Sequence, residues 1–229
     1  MPLTVSTGTR HRTKQEFVYR TLRDAIIRCD LKPGERLVID DLARRLEVSA
    51  IPVREGLQLL QSEGLVINVP HVGATVAPIS RESIQDVFTV LEGLESVATR
   101  LVAERANPAD LQVLTDLVEA MDRAVAEDAP SEWADLNTQF HLAIGRSVGL
   151  AMLQEMTERV LDRWDRVRRY FFRGVLTHRI EQAQAEHRTM LTAMRARDLD
   201  ALLQVVRQHN QGALASYLQY LKTHGDGRD

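Results

Sequence analysis

Between Thr13 and Cys29 the apolar residues Phe17, Val18, Leu22, Ala25, Ile26 and Ile27 recur at helical spacing, which predicts an amphipathic helix. The Pro-Gly pair in LKPGERL (31–37) then forces a turn. In IDDLARRLE, inward Leu42, Ala43 and Leu46 predict a short second helix, with Asp40 placed to cap it. VSAI connects tightly to a third helix over about 51–62, which buries Val53, Leu57 and Leu60 and stops at Gly64. LVINV and ATVAP are short strand-like runs joined by the turn-like PHVG. Helix, helix, turn, helix, hairpin is the order of a winged helix-turn-helix. Residues 10–78 are therefore expected to form a DNA-binding domain, with 79–82 as a linker.

From residue 83 to 222 the period is helical throughout. Six helices are predicted, at roughly 83–106, 108–127, 131–147, 149–173, 178–196 and 198–221. Asn107-Pro108, Ala129-Pro130-Ser131 and Gly149 punctuate them; Pro108 suits a first helical turn and Ser131 a cap. No strand pattern and no fixed repeat interrupts the series. The fold class is mainly α: an N-terminal winged helix-turn-helix followed by an all-α bundle of six to seven helices over 83–222, with a polar tail at 223–229.

Composition narrows the setting. The single cysteine, Cys29, allows no intrachain disulfide, excludes a cysteine-rich zinc ribbon and fits a reducing cytoplasm. MPLTVSTGTRHRTKQ has no apolar core of an export signal, and no run of about 18 apolar residues predicts a membrane span. The net charge of −3 is unevenly placed: residues 1–80 hold 11 basic and 9 acidic side chains, and the remainder 18 and 23. That division permits a DNA contact at the N-terminal end and a different task beyond it.

In a helix-turn-helix the second helix of the motif enters the major groove by its N-terminal end. Here that end reads SAIPVREGL (49–57). Ser49 can cap the helix and leave its first amides near a phosphate, and Pro52 falls where a missing N–H costs nothing. Arg54 can reach a guanine edge or a phosphate. Arg36, Arg44 and Arg45 can neutralise backbone phosphates, and His71 and Gly73 at the hairpin tip can enter the minor groove.

LKPGERL, LARRLEVS, PVREGLQLLQSEGLV and VGATV together resemble the N-terminal domain of GntR-family transcriptional regulators, over about residues 13–77. The family's usual central stretch is VSRTPVREAL. This chain departs at Ala50, where arginine is usual, at Ile51, where threonine is usual, and at Gly56, where alanine is usual. The first two changes remove a guanidinium and a hydroxyl from the DNA-facing tip, and a lost bidentate base contact is worth ~1–3 kcal/mol. Ala50 and Ile51 thus imply an operator read with fewer tip contacts. Gly56 is expected to weaken its helix by ~1 kcal/mol.

Three histidines beyond residue 80 sit on inward stripes. His141 lies four residues after Asn137 and shares a face with Ile144 and Val148. His187 shares one with Ala183, Met190, Leu191 and Met194, and His209 with Leu202, Val206 and Ala213. His178, at a helix start, and His224, in the tail, are expected in solvent. Buried rings need partners, and a divalent metal would serve all three with neutral nitrogens, as would ordinary core hydrogen bonds. Glu186 adjoins His187 but falls on another face, so no inward carboxylate is expected beside the rings.

NTQFHLAI (137–144), AEHRTMLTAMRARD (185–198) and the later His209 resemble the FCD effector domain of the FadR subfamily. The resemblance implies a divalent ion, zinc- or nickel-like, held by Asn137, His141, His187 and His209, and a small carboxylate or sugar acid as effector. The usual first ligand is aspartate, so Asn137 costs the site one negative charge. An arginine common on the first bundle helix is replaced here by Leu91. Arg163, between Val160 and Val167, is the candidate substitute cation.

The sequence thus points to a ligand-responsive regulator, a repressor, binding palindromic operator DNA as a homodimer, with no membrane partner. A metal-dependent hydrolase-like enzyme and a helical interaction scaffold are the alternatives. The missing inward general base speaks against the enzyme.

Overall fold

The computed structural model describes residues 13–105, 107–172 and 174–224. The chain divides into two compact units, Met1–Ile79 and Ser80–Asp229. Residues 10–12 of the expected DNA-binding domain and 225–229 of the expected tail lie outside the described residues.

In the first unit, α1 (Lys14–Ile27) is capped by Thr13, whose hydroxyl oxygen accepts from the Glu16 amide at 3.1 Å. Helix α2 (Ile39–Arg45) starts one residue before the expected cap. Val38 holds the cap position without a side-chain bond, and Asp40 sits inside the first turn, where its charge meets the positive helix end. Helix α3 (Ala50–Ser62) ends at Gly64, at φ +71°. There the Gly64 amide donates to the Gln61 carbonyl and the Leu65 amide to the Leu60 carbonyl, both at 3.0 Å, a Schellman closure.

Strands β1 (Val66–Val69) and β2 (Gly73–Val76) pair antiparallel with Val66 opposite Val76. Residues 35–37 extend this wing. Arg36 bridges Thr75, the Leu37 amide donates to the Ala74 carbonyl at 2.8 Å, and the Val76 amide to the Glu35 carbonyl at 2.9 Å. The core gathers Val18, Leu22, Ile26, Leu42, Val53 and Leu60.

Gly56 has a structural reason. A Cβ there would stand 2.9 Å from Val18 Cγ1 and 3.3 Å from the Tyr19 amide nitrogen. Glycine lets α1 lie directly on α3, and the helix propensity it gives up is offset by that approach.

The second unit holds α4 (Arg81–Arg105), α5 (Pro108–Ala126), α6 (Pro130–Ser147), α7 (Ala151–Tyr170), a 3-10 turn (Leu176–His178), α8 (Ile180–Ala196) and α9 (Leu199–His224). Helix α4 begins inside the expected linker because Ser80 and Ser83 cap each other: the Ser83 amide donates to Ser80 Oγ at 3.2 Å and the Ser80 amide to Ser83 Oγ at 2.9 Å. Asn107 and Asp110 form the same kind of reciprocal cap on α5, ahead of Pro108.

Helix α6 is not capped by Ser131. Ala129 holds the cap position and Pro130 the first turn, which puts Ser131 within the helix. Helix α7 ends at Tyr170, short of the expected residue 173. His178 belongs to the 3-10 turn, and α9 runs on through His224, whose ring stacks on Tyr220 at 4.2 Å. Both histidines are exposed. The core is built on Leu114, Met121, Trp133, Phe140, Met190 and Leu202.

Candidate functional site

Arg36, Arg44, Arg45, Ser49 and Arg54 are exposed, Ala50 is half-buried, and Ile51 at the tip of α3 is 65% exposed. Ser49 holds the cap position at φ −75° and ψ 168° but makes no side-chain cap bond, so its hydroxyl does not occupy the first amides. Pro52 is buried against the core: it shapes the start of α3 and does not present itself for contact. Arg44 and Arg45 both reach Asp41, at 3.3 and 3.7 Å, so a phosphate would have to compete with that carboxylate. At the hairpin tip, exposed His71 and half-buried Gly73 both adopt left-handed φ, +63° and +97°.

The second unit brings the three inward histidines together. His141 on α6, His187 on α8 and His209 on α9 can each offer a ligand atom, all within 4.8 Å of one another, and all three are buried. Asn137, one turn before His141, lines the same cavity as His141 and His209. Three imidazoles and an amide oxygen are a donor set suited to zinc or nickel.

Several buried atoms here have no protein partner. Both ring nitrogens of His187 are unbonded, as is Asn137 Oδ1. The ring of His187 is fully enclosed, against Trp133 and Phe140. Such atoms cost on the order of 1–3 kcal/mol each unless something satisfies them. Burial, joined by the positive fields of His209, His141 and Arg179, drives the His187 ring well below its ordinary pKa, so it is neutral and able to ligate.

The expectation that no inward carboxylate adjoins the rings is overturned. Glu95 on α4 is 3% exposed and Glu186 on α8 is 5% exposed. Glu186 Oε2 lies 2.7 Å from His209 Nδ1. Glu95 Oε1 stands close against His141 Nδ1 without the alignment of a hydrogen bond, while its Oε2 accepts from Asn210 Nδ2 at 2.7 Å. With Nδ1 turned to a carboxylate, Nε2 is the nitrogen His141 and His209 have left to offer. Burial raises both carboxyls, but the histidines outweigh it, helped by Asn210 at Glu95 and by Arg179 at Glu186, and hold them below the usual range. These two acids place negative charge just outside the rings.

Arg163 does not serve the cavity; it is exposed on α7. Leu91 lines the cavity as expected of its position, and the arginine found there is Arg179. Its Nη2 donates to Glu186 at 2.9 and 3.2 Å and to the His209 carbonyl at 3.1 Å. Arg179 sits where α8 begins, after an irregular turn, and the only signal for it was a spacing of two helical turns from Glu186 and His187. Tyr217 on α9 also lines the cavity with a buried, unbonded hydroxyl, and burial raises its pKa. The space within is about 30 Å³, enough for one or two water-sized bodies.

Residues 14–76 match the family of bacterial regulatory proteins of the gntR type, and residues 86–212 match the FCD domain. The chain belongs to the GntR family. This GntR-family regulator is 30% identical over 197 residues to the HTH-type transcriptional repressor GlaR of Escherichia coli (strain K12), covering 83% of this chain and 90% of that one. To the HTH-type transcriptional regulator McbR of the same strain it is 28% identical over 193 residues, 83% and 86% of the two chains. The solved structure of E. coli McbR/YncC superposes with a TM-score of 0.73 at 26% identity, over 92% of this chain and all of that one. A GntR regulator from Rhodococcus sp. RHA1 shares the fold, with a TM-score of 0.72 over 92% of this chain and 99% of that one, at 22% identity. The family and these relatives are transcription regulators, not enzymes.

Proposed function

We propose that this regulator represses transcription by binding palindromic operator DNA as a homodimer, and that a small organic acid, joining a divalent metal ion in the bundle, alters its hold on DNA. His141, His187 and His209 hold the ion through ring nitrogens and Asn137 through its carbonyl oxygen. A bound ion of the zinc or nickel kind keeps a coordination position open to a carboxylate. The observation that carries this reading is His187, fully buried with neither ring nitrogen bonded, inside a triad of rings within reach of one ion. An ordinary core histidine has a hydrogen-bond partner. On DNA, exposed Arg54 and the open first amides of α3 meet the major groove, and Arg36, Arg44 and Arg45 meet phosphates. The setting is the cytoplasm; among the described residues no helix is long and apolar enough to cross a membrane.

The test is metal analysis of the purified protein, with titration of zinc and nickel into chelated protein. One ion per chain is expected, with thermal stabilisation that disappears when the three histidines are replaced. No bound ion and no thermal shift would rule the metal centre out. In parallel, duplexes with two half-sites about one turn apart should bind more tightly than random DNA, with affinity falling steeply with salt. Equal affinity for random sequence at every salt concentration would defeat the regulator-at-an-operator reading.

A further inference from the structure

The inner cavity, at about 30 Å³, is too small for an organic acid as it stands. A larger, open pocket of about 390 Å³ adjoins it, lined by His178, Ser216, Gln219 and Tyr220 among others. Val175 and Arg179 line both spaces. Arg179 therefore stands in the wall between the outer pocket and the inner cavity. Helix α9 passes close beside it: a Cβ on Gly212 would stand 2.7 Å from Arg179 Nη2.

Two features make this wall a receiving site. Among the described residues Arg179 is the one arginine lining the inner cavity, and Glu186, its partner, has other support. Glu186 also accepts from Gln182 Nε2 at 3.1 Å and meets His209 Nδ1 at 2.7 Å, so it stays held if Arg179 turns away. The second feature is the Tyr217 hydroxyl, 3% exposed by residue, lining the cavity without a partner. A buried donor left unmatched is a place where a ligand oxygen is worth more than water.

We propose that Arg179 and Tyr217 receive the carboxylate of the effector, Arg179 doing so by exchanging Glu186 for the incoming anion arriving through the outer pocket. The ligand class is a small carboxylic acid whose anionic end passes inward. The exchange leaves the full charge of Glu186 to His209, which makes that ring a better ligand. Anion and metal then reinforce each other, and the coupling is reciprocal: whatever factor the anion adds to metal affinity, the metal adds to anion affinity. This inference rests on the metal-and-acid reading above.

The experiment is a zinc competition titration against a chromophoric chelator, on the full chain, in acetate and in chloride at equal ionic strength. Acetate is the probe. In the wild type, acetate should tighten zinc binding by about tenfold. Arg179→Gln should abolish that gain while binding zinc more tightly than wild type in chloride, because a cation beside the ion is gone. Arg179→Lys should restore part of the acetate gain. Tyr217→Phe should reduce the gain while the melting temperature of the chelated protein stays level or rises, since the lost hydroxyl had no partner. A merely structural tyrosine would lower that temperature. An acetate gain of wild-type size in Arg179→Gln and Tyr217→Phe would mean the anion sits on the metal alone, and would overturn the proposal. So would zinc binding in the wild type that ignores acetate. Failure of the wild type to bind zinc at all would instead bring down the metal centre, and this inference with it.

Discussion

Replacing His187 with leucine should separate the cost of the site from its use. His187 is fully buried, and its two ring nitrogens have no protein partner. Each such atom carries a desolvation penalty on the order of 1–3 kcal/mol. Leucine has a similar volume and no polar atom, so the gain is set against up to about 1.5 kcal/mol for the change in shape. The chelated variant should therefore be as stable as chelated wild type, or more stable by about 1–3 kcal/mol. Zinc should reverse the order. An ion present at about 100 times its Kd stabilises wild type by ~2.7 kcal/mol, or roughly 5–10 °C in melting temperature for a chain of this size, and should do little for the variant. Tryptophan fluorescence is the assay, because both tryptophans, Trp133 and Trp164, lie in the bundle and report on that unit alone. A chelated variant several kcal/mol less stable than wild type would show that His187 has a partner in the fold, and the reasoning would be wrong. Equal zinc stabilisation of both proteins would be just as damaging.

Three other outcomes follow from particular contacts. Gly56→Ala gains ~1 kcal/mol of helix propensity but forces a Cβ to 2.9 Å from Val18 Cγ1 and 3.3 Å from a backbone nitrogen, an overpacking cost of ~1–3 kcal/mol. Amide hydrogen exchange in α1 and α3 should quicken, and slower exchange would show that the helices can part at no cost. In chelated protein, stability should fall as pH drops below 6.5, since His187 and His209 are held below that value in the fold and take up protons on unfolding; below 4.5, Glu95 and Glu186, also held low, add a loss of the same sign. Denaturant midpoints followed by tryptophan fluorescence from pH 8 to pH 4 test this, and a flat profile would contradict it. Ala50→Arg should tighten DNA binding and steepen the plot of log affinity against log salt by about 0.9 if the new charge meets one phosphate; an unchanged slope would mean the α3 tip lies elsewhere on the duplex.

The elements were legible because each is announced by local chemistry. Gly64 closes α3, Asn107 and Pro108 open α5, and the stripes through His141, His187 and His209 placed those rings inward. What escaped the sequence is what depends on a distant partner. Glu95 on an amphipathic helix reads as solvated until Asn210 and His141 are placed around it. Glu186 reads as lying on another face because neighbours on a helix diverge by a quarter turn or more. Yet α8 is buried over a wide arc, including Ala183, Gln184, Glu186, His187 and Met190, so both neighbours are inside. Arg179 precedes α8 in an irregular segment where no period applies. The strand-like addition of residues 35–37 to the wing and the close seat of Gly56 on Val18 are likewise products of packing between separate segments.

The charges around the cluster argue for the sign of the effector. With a divalent ion in place, the ring nitrogens and the Asn137 amide contribute no charge. Glu95 and Glu186 contribute two negative charges, and Arg179 returns one positive. The ion's two positive charges then leave the group one positive charge in excess, among buried side chains. An unbalanced buried charge is costly, and a neutral ligand would leave it so. A monocarboxylate cancels it, and Arg179 and Tyr217 give its oxygens donors to meet. An aspartate at position 137 would already have supplied that charge. Asn137 therefore shifts the site from needing little to needing an anion, and Asn137→Asp should weaken the dependence of metal affinity on acetate while tightening the metal in chloride. Equal acetate dependence in Asn137→Asp and wild type would show that charge balance does not govern what this bundle binds.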